Sequence, residues 1–263
     1  MAVLQVSYHS KAMQREVTFK ALIPLAEMEV QGHKHDHTTS MKSLYLLHGY
    51  SGNFNDWINY TRIRELSDKY RIAVFMPAGE NHFYIDDIDK RSLYGEYVGN
   101  ELVQFTRKMF SLSNRKEDTM IGGLSMGGYG AIRNGLKYHT NFGSIFALSS
   151  ALITYKIMNA GPDYDDGVAD YKYFNRVFGD LTKLKGSEND PEALIKNLKD
   201  MQIQIPKIYL ACGSEDFLLD VNHKFRDFLS SEKINYVYKE TLGTHNWEFW
   251  DEYLEKALQW AHE

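Results

Sequence analysis

The chain has 263 residues and a formal charge of −5. That length fits one α/β domain, or one domain carrying an inserted segment. The mild acidity, with no long Lys/Arg block, argues against nucleic acid or an anionic membrane as a general partner. No apolar run approaches the ~18 residues of a membrane span, and the first residues lack the basic-then-apolar order of a secretory signal. The single cysteine, Cys212, permits no intrachain disulfide. A soluble cytoplasmic protein is the expectation.

In chain order, residues 3–8 and 15–23 are β-prone runs that pair as an N-terminal antiparallel hairpin. Residues 27–40 are polar and read as a loop, in which His33, His35 and His37 alternate. His-rich tracts can bind metal, but a plain polar loop is the better reading, and no metal is expected. Residues 43–47, "SLYLL", form a short buried strand. A helix over 61–70 follows, then a strand over 71–77 stopped by Pro77, and an irregular loop over 77–90. Val98, Leu102, Phe105 and Met109 recur at helical spacing, predicting a helix over 96–110 with that stripe facing inward. A strand over 118–125 runs into a glycine cluster, a helix over 127–139 leaves it, and 143–150 is another strand. Residues 151–189 are rich in Gly, Asp and Tyr and read as an insertion over a site; "DYDDGVADY" lacks the ligand spacing of a calcium loop. Helices over 191–200, 217–231 and 246–260 then alternate with strands over 206–213 and 234–240. Such alternation predicts one α/β unit over 1–263, a mostly parallel central sheet with helices on both faces.

The stretch "MIGGLSMGGYGAI", residues 120–132, holds five glycines and one serine. A phosphate loop needs Lys and Ser/Thr after its second glycine, yet Tyr129 and Gly130 occupy those places. A dinucleotide fingerprint fails at its third glycine, where Arg133 stands. Gly123-Leu124-Ser125-Met126-Gly127 matches the G-x-S-x-G nucleophile elbow, between a strand and a helix as that turn requires. Gly123 and Gly127 permit the tight turn, while Gly128 and Gly130 are expected to let the helix approach the sheet.

On such a fold the acid and then the histidine follow the nucleophile. Four histidines lie after Ser125. His139 ends the same helix, ~20 Å away at 1.5 Å per residue; His223 lies inside a helix; His262 is penultimate. His245, in the loop between the last strand and the last helix, remains. The acid is expected after the preceding strand, at Asp216, with Glu215 and Asp220 as alternates. The oxyanion donors are expected to be the N–H of Met126, next to the nucleophile, and that of Tyr50, after His48-Gly49. Gly49, Trp57, Tyr84, Tyr94 and Trp247, near loop ends, are candidate substrate contacts.

Together "LYLLHGYSGNFNDW", "GGLSMGGYGA", "ACGSEDFL" and "GTHNWEFWDEYLEKAL" resemble the esterase D family of α/β-hydrolases, most of all its bacterial tributyrin esterases. The likeness runs over nearly the whole chain. It implies an α/β-hydrolase fold and a cofactor-free serine carboxylesterase acting on small-molecule esters with short acyl chains. It also implies Ser125, Asp216 and His245 as triad, and an oligomer as family expectation. The family includes S-formylglutathione hydrolases, feruloyl and acetyl-xylan esterases, and mycolyltransferases. S-formylglutathione hydrolases carry S-G-L-T-C after the early strand; His48-Gly49-Tyr50-Ser51-Gly52 stands here without a cysteine, which weighs against thioester hydrolysis.

Overall fold

The computed structural model describes residues 1–24, 40–87 and 89–262; His33, His35 and His37 lie outside them. Strands β1 (Ala2–Ser10) and β2 (Arg15–Ile23) pair antiparallel. Next come β3 (Lys42–Leu47), α1 (Asp56–Tyr60), α2 (Ile63–Tyr70) and β4 (Ile72–Pro77). The small ribbon β5 (Asp86–Asp87) and β6 (Ser92–Leu93) precedes α3 (Tyr94–Glu96), a π turn (Tyr97–Glu101) and α4 (Leu102–Met109). Then follow β7 (Thr119–Leu124), α5 (Met126–Lys137), β8 (Ser144–Leu148), α6 (Thr154–Ile157), α7 (Tyr171–Phe178) and α8 (Pro191–Asp200). The chain closes with β9 (Lys207–Gly213), α9 (Leu219–Ser231), β10 (Tyr236–Thr241) and α10 (Trp247–His262).

The large sheet has the order β1-β2-β4-β3-β7-β8-β9-β10. It is antiparallel where β2 meets β1 and β4, and parallel from β4 to β10. Its central strands read as unbroken apolar runs because both faces are covered. Tyr45, Leu47, Ile121 and Leu210 point into the layer filled by α4, α5 and α9. Leu44, Leu46, Met120 and Tyr209 point the other way, onto α2 and α10. Parallel strands with covering helices bring the C-terminal ends of β3, β7, β8 and β9 to one rim, where ligands bind in open α/β sheets.

Two elements differ from the sequence expectation. A five-residue helix, α1, stands at 56–60 where only loop was expected. The helix expected over 96–110 is interrupted by the π turn, whose i to i+5 pairing widens one turn. Val98 and Leu102 are buried and Phe105 packs against the core, while Met109, the last residue of α4, is half exposed.

The π turn also places Glu101, whose carboxylate accepts the Ser10 hydroxyl at 2.9 Å and the Lys11 and Ala12 N–H groups at 2.9 and 2.7 Å. One side chain thus satisfies the β1–β2 turn. Helix α5 is buried on nearly every side, including Arg133, whose guanidinium donates to Glu188 Oε1 at 2.7 Å and Asn134 Oδ1 at 2.8 Å. Tyr129 donates its hydroxyl to the Asn189 carbonyl at 2.7 Å, so the end of the 151–189 segment is tied to this helix. Gly135, not Gly130, makes its close approach to the sheet, against Ile145 and Ile121. Gly130 lies under the Tyr84 ring, where an added Cβ would fall 2.5 Å from Cδ2.

Glu101→Ala is expected to destabilise the protein by about 2–3 kcal/mol, the scale of lost hydrogen bonds to a charged acceptor. Urea unfolding measures this; an unchanged midpoint would deny Glu101 its anchoring role.

Candidate active site

Ser125 sits between β7 and α5 with φ 52° and ψ −119°, a left-handed backbone that only a well-braced turn holds in a non-glycine residue. Its N–H donates to the Leu148 carbonyl at 2.9 Å, and its carbonyl accepts the Ala151 N–H at 2.9 Å and the Tyr129 N–H at 3.1 Å. A Cβ on Gly123 would strike the Gly127 carbonyl, and one on Gly127 would strike the Leu47 carbonyl. Both obstacles are backbone, so they cannot rotate away. The turn carries Ser125 to the N-terminus of α5, where free N–H groups and the helix dipole favour negative charge.

His245 lies between β10 and α10, and Asp216 lies between β9 and α9. The Glu215 N–H donates to the Gly243 carbonyl at 2.9 Å, joining the two loops. Asp216 is buried, with its carboxylate oxygens 2.9 and 3.1 Å from His245 Nδ1. His245 Nε2 is 3.1 Å from Ser125 Oγ. A carboxylate can only accept, so Nδ1 carries the proton and Nε2 is left to accept from the serine hydroxyl. Burial pushes the Asp216 pKa up, but the hydrogen bond and charge of His245, the Leu218 N–H and the Ser149 hydroxyl outweigh it and hold the group below the usual carboxylate range. Asp216 Oδ1 also accepts the Leu218 N–H just ahead of α9, at 2.9 Å. The alternates point elsewhere: Glu215 is exposed, and Asp220 is exposed and paired with Lys224 at 3.4 Å. His139, His223 and His262 make their contacts away from Ser125, with Leu136, Glu240 and Tyr70 respectively.

The His48-Tyr50 loop reaches the same rim. A Cβ on Gly49 would fall 2.6 Å from Leu124 Cδ1 and 3.5 Å from Ser125 Cβ. The N–H groups of Tyr50 and Met126 meet no acceptor among the described residues. His48 is buried, and its Nε2 accepts the Gly79 N–H at 2.8 Å, so the proton is on Nδ1, which donates to the Gly49 carbonyl at 2.7 Å. Burial lowers its pKa, favouring this neutral tautomer. The Gly49 carbonyl belongs to the same peptide as the Tyr50 N–H, and the two point in opposite directions across a trans bond. Gripping that oxygen therefore sets the direction of the Tyr50 N–H. Sequence reasoning read His48 only as part of a turn; its neighbour across the fold, Gly79, carries no sequence signal.

Of the remaining candidates, Gly49 and Trp247 line a broad cleft of about 580 Å³ beside Ser125 and His245. Trp57, Tyr84 and Tyr94 line neither this cleft nor the narrow pocket on the other side of Ser125. Trp57 and Tyr84 are buried and brace the loop from behind, donating to the Leu47 carbonyl at 3.1 Å and the His48 carbonyl at 3.0 Å. Tyr94 accepts from Arg15 at 3.0 Å, next to β2. The narrow pocket, about 100 Å³, is bounded by Met126, Phe83 and Leu218 and by Ala151, Ile153 and Phe174 of the 151–189 segment. Phe217, 62% exposed, places its ring 4.5 Å from that of His245. It directly follows Asp216, the one signal that could have singled it out.

The Esterase family model ("Putative esterase") matches residues 10–261. An acetyl esterase of Caldicellulosiruptor saccharolyticus is 48% identical over 260 residues, covering 99% of this chain and 98% of that one. Among solved structures, the fluorophosphonate-binding serine hydrolase FphF of Staphylococcus aureus superposes with a TM-score of 0.84 at 27% identity, over 100% of this chain and 98% of that one. The S-formylglutathione hydrolase FrmB of the same organism superposes equally, with a TM-score of 0.84 at 27% identity, over 100% and 99%. The chain therefore belongs to this esterase family and has the α/β-hydrolase fold. It is a carboxylic ester hydrolase.

With the Tyr50 N–H in the expected oxyanion role, His48→Ala should lower kcat by about tenfold or more, as misalignment of such a donor does, with a smaller effect on KM. His48→Asn, whose amide can stand where Nδ1 does and donate to the Gly49 carbonyl but ends short of Gly79, should restore part of the loss. Equal kcat in all three proteins would separate His48 from the reaction.

Proposed function

We propose that the protein is a serine carboxylesterase that hydrolyses short-chain acyl esters through an acyl-enzyme on Ser125. The observation that carries this reading is the continuous relay from Asp216 through His245 to Ser125, at 2.9 and 3.1 Å, ending on a strained serine beside two unclaimed N–H groups. Ser125 Oγ attacks the ester carbonyl while His245 Nε2 takes its proton. Asp216 keeps His245 in the required tautomer and stabilises the imidazolium. The N–H groups of Tyr50 and Met126 receive the oxyanion. His245 then returns the proton to the leaving alcohol, and water, activated the same way, releases the acid.

The two spaces flanking Ser125 divide the substrate. His245 lines the broad cleft and not the narrow pocket. The group that protonates the leaving oxygen stands on the leaving side, so the alcohol occupies the cleft and the acyl chain the narrow pocket. The small apolar volume there favours acyl chains of a few carbons, in keeping with the 48% identical acetyl esterase. A second reading, thioester hydrolysis by the same residues, is supported by the likeness to FrmB.

Ser125→Ala, His245→Ala and Asp216→Asn should each lower kcat on p-nitrophenyl acetate by roughly 10⁴-fold with the fold retained. Turnover that survives Ser125→Ala would exclude it as nucleophile. Across acetyl, butyryl, hexanoyl and octanoyl p-nitrophenyl esters, kcat/KM should peak at the short end; Phe174→Ala, which enlarges the pocket, should move the optimum toward longer chains.

A further inference from the structure

The broad cleft is built from two kinds of side chain. One wall is aromatic: Tyr60, 57% exposed, tilts over Trp247 with ring centroids 5.0 Å apart at 31°. The other wall is the loop from Gly49 to Asp56, which brings Ser51, Asn53 and Asp56 to the cleft. Among the described lining residues Asp56 is the sole carboxylate, and the lining holds no Lys or Arg.

Neighbouring charges do not reverse this balance. Arg62, at the start of α2, is held by Asp251 at 2.7 Å and Glu255 at 3.1 Å. Arg15 is held by Glu80 at 2.6 Å. Lys156 lines the narrow pocket on the other side of Ser125. Asp56 Oδ2 accepts the Asn53 N–H at 3.0 Å, which fixes the carboxylate, while Oδ1 has no partner among the described residues. A fixed negative charge lining the same cleft as aromatic rings is an arrangement that attracts cations, by Coulomb attraction and by the ring quadrupole. It repels a second carboxylate.

We propose that Asp56 makes the leaving-group side of the site charge-selective, so that esters of cationic and neutral alcohols are accepted and esters of anionic alcohols are rejected. The inference rests on the esterase reading and on the division of acyl and alcohol sides given above. It disfavours glutathione-like thiols, whose carboxylates would enter the cleft, independently of the missing cysteine after β3. It also gives Asp56 a function beyond holding the first turn of α1, which its contact with the Asn53 N–H would otherwise explain.

The test uses three acetyl esters that share one acyl group: acetylcholine, 2-methoxyethyl acetate and 4-acetoxybutyrate, cationic, neutral and anionic. Released acetate gives kcat/KM, and each value is divided by the rate constant for hydroxide-catalysed hydrolysis of the same ester. In the wild type the cation-to-anion ratio should exceed one. Asp56→Asn keeps an acceptor for the Asn53 N–H but removes the charge; it should lower the ratio by about three- to tenfold, the scale of one charge acting across a solvated site. Asp56→Glu should retain most of the ratio, and added salt should shrink it in the wild type. If the neutral ester is turned over but the ratio is the same in wild type and Asp56→Asn, the charge proposal fails and the esterase reading stands. If the wild type hydrolyses none of the three any faster than Ser125→Ala does, both fail together.

Discussion

A serine held at φ 52° costs about 1–3 kcal/mol that the surrounding structure must offset. Here the bracing is almost entirely backbone. The Leu148 carbonyl takes the Ser125 N–H, the Ala151 N–H takes the Ser125 carbonyl, and the Leu47 and Gly127 carbonyls leave no room for side chains at 127 and 123. These groups belong to the ends of β3, β7 and β8 and the start of α5, so the elbow exists only where those elements converge. Three further consequences follow from the same convergence. The loop after β3 must pass beside Ser125, bringing the Tyr50 N–H with it. The 151–189 segment must begin against Ser125, at Ala151. Helix α5 must be buried, and the Arg133–Glu188 pair at 2.7 Å then ties the far end of that segment to it.

The parts of this arrangement that were legible in the sequence are local ones. A strand running into G-x-S-x-G and out as a helix is a property of thirteen consecutive residues, and the exit loops holding Asp216 and His245 follow directly from strand and helix periodicity. The structure then brings these separate element ends within hydrogen-bond distance. What sequence could not give is the direction of a side chain across the fold. Trp57, Tyr84 and Trp247 all lie near loop ends, and nothing in their spacing says that the first two turn inward to hold the carbonyls of Leu47 and His48 while only Trp247 faces the cleft. The π turn at Tyr97–Glu101 was hidden for a related reason: it satisfies Ser10, Lys11 and Ala12, some 90 residues earlier in the chain. Helical periodicity carries no trace of such a partner.

The site is asymmetric about the serine, and the asymmetry is what makes a substrate assignment physical. A narrow, mostly apolar pocket is lined by the 151–189 segment, whereas the cleft shared by His245 is wider, polar and aromatic. In the proposed reaction, acyl length and alcohol identity would be read by different parts of the chain. Variation in the 151–189 segment would change the acid released without touching the alcohol, and variation in the loop after β3 would do the reverse. Relatives with one fold and different acyl substrates, such as an acetyl esterase and an S-formylglutathione hydrolase, are what this separation would allow.

Trapping the acyl-enzyme is the most direct measurement of the central claim. The protein would be mixed with p-nitrophenyl acetate, quenched in acid within the first turnover, digested and analysed by mass spectrometry. A single acetyl group on Ser125, formed with a burst of nitrophenol and absent from Asp216→Asn on the same timescale, is the predicted result. Hydrolysis without an acetylated Ser125, or acetylation at another residue at the rate of turnover, would contradict it.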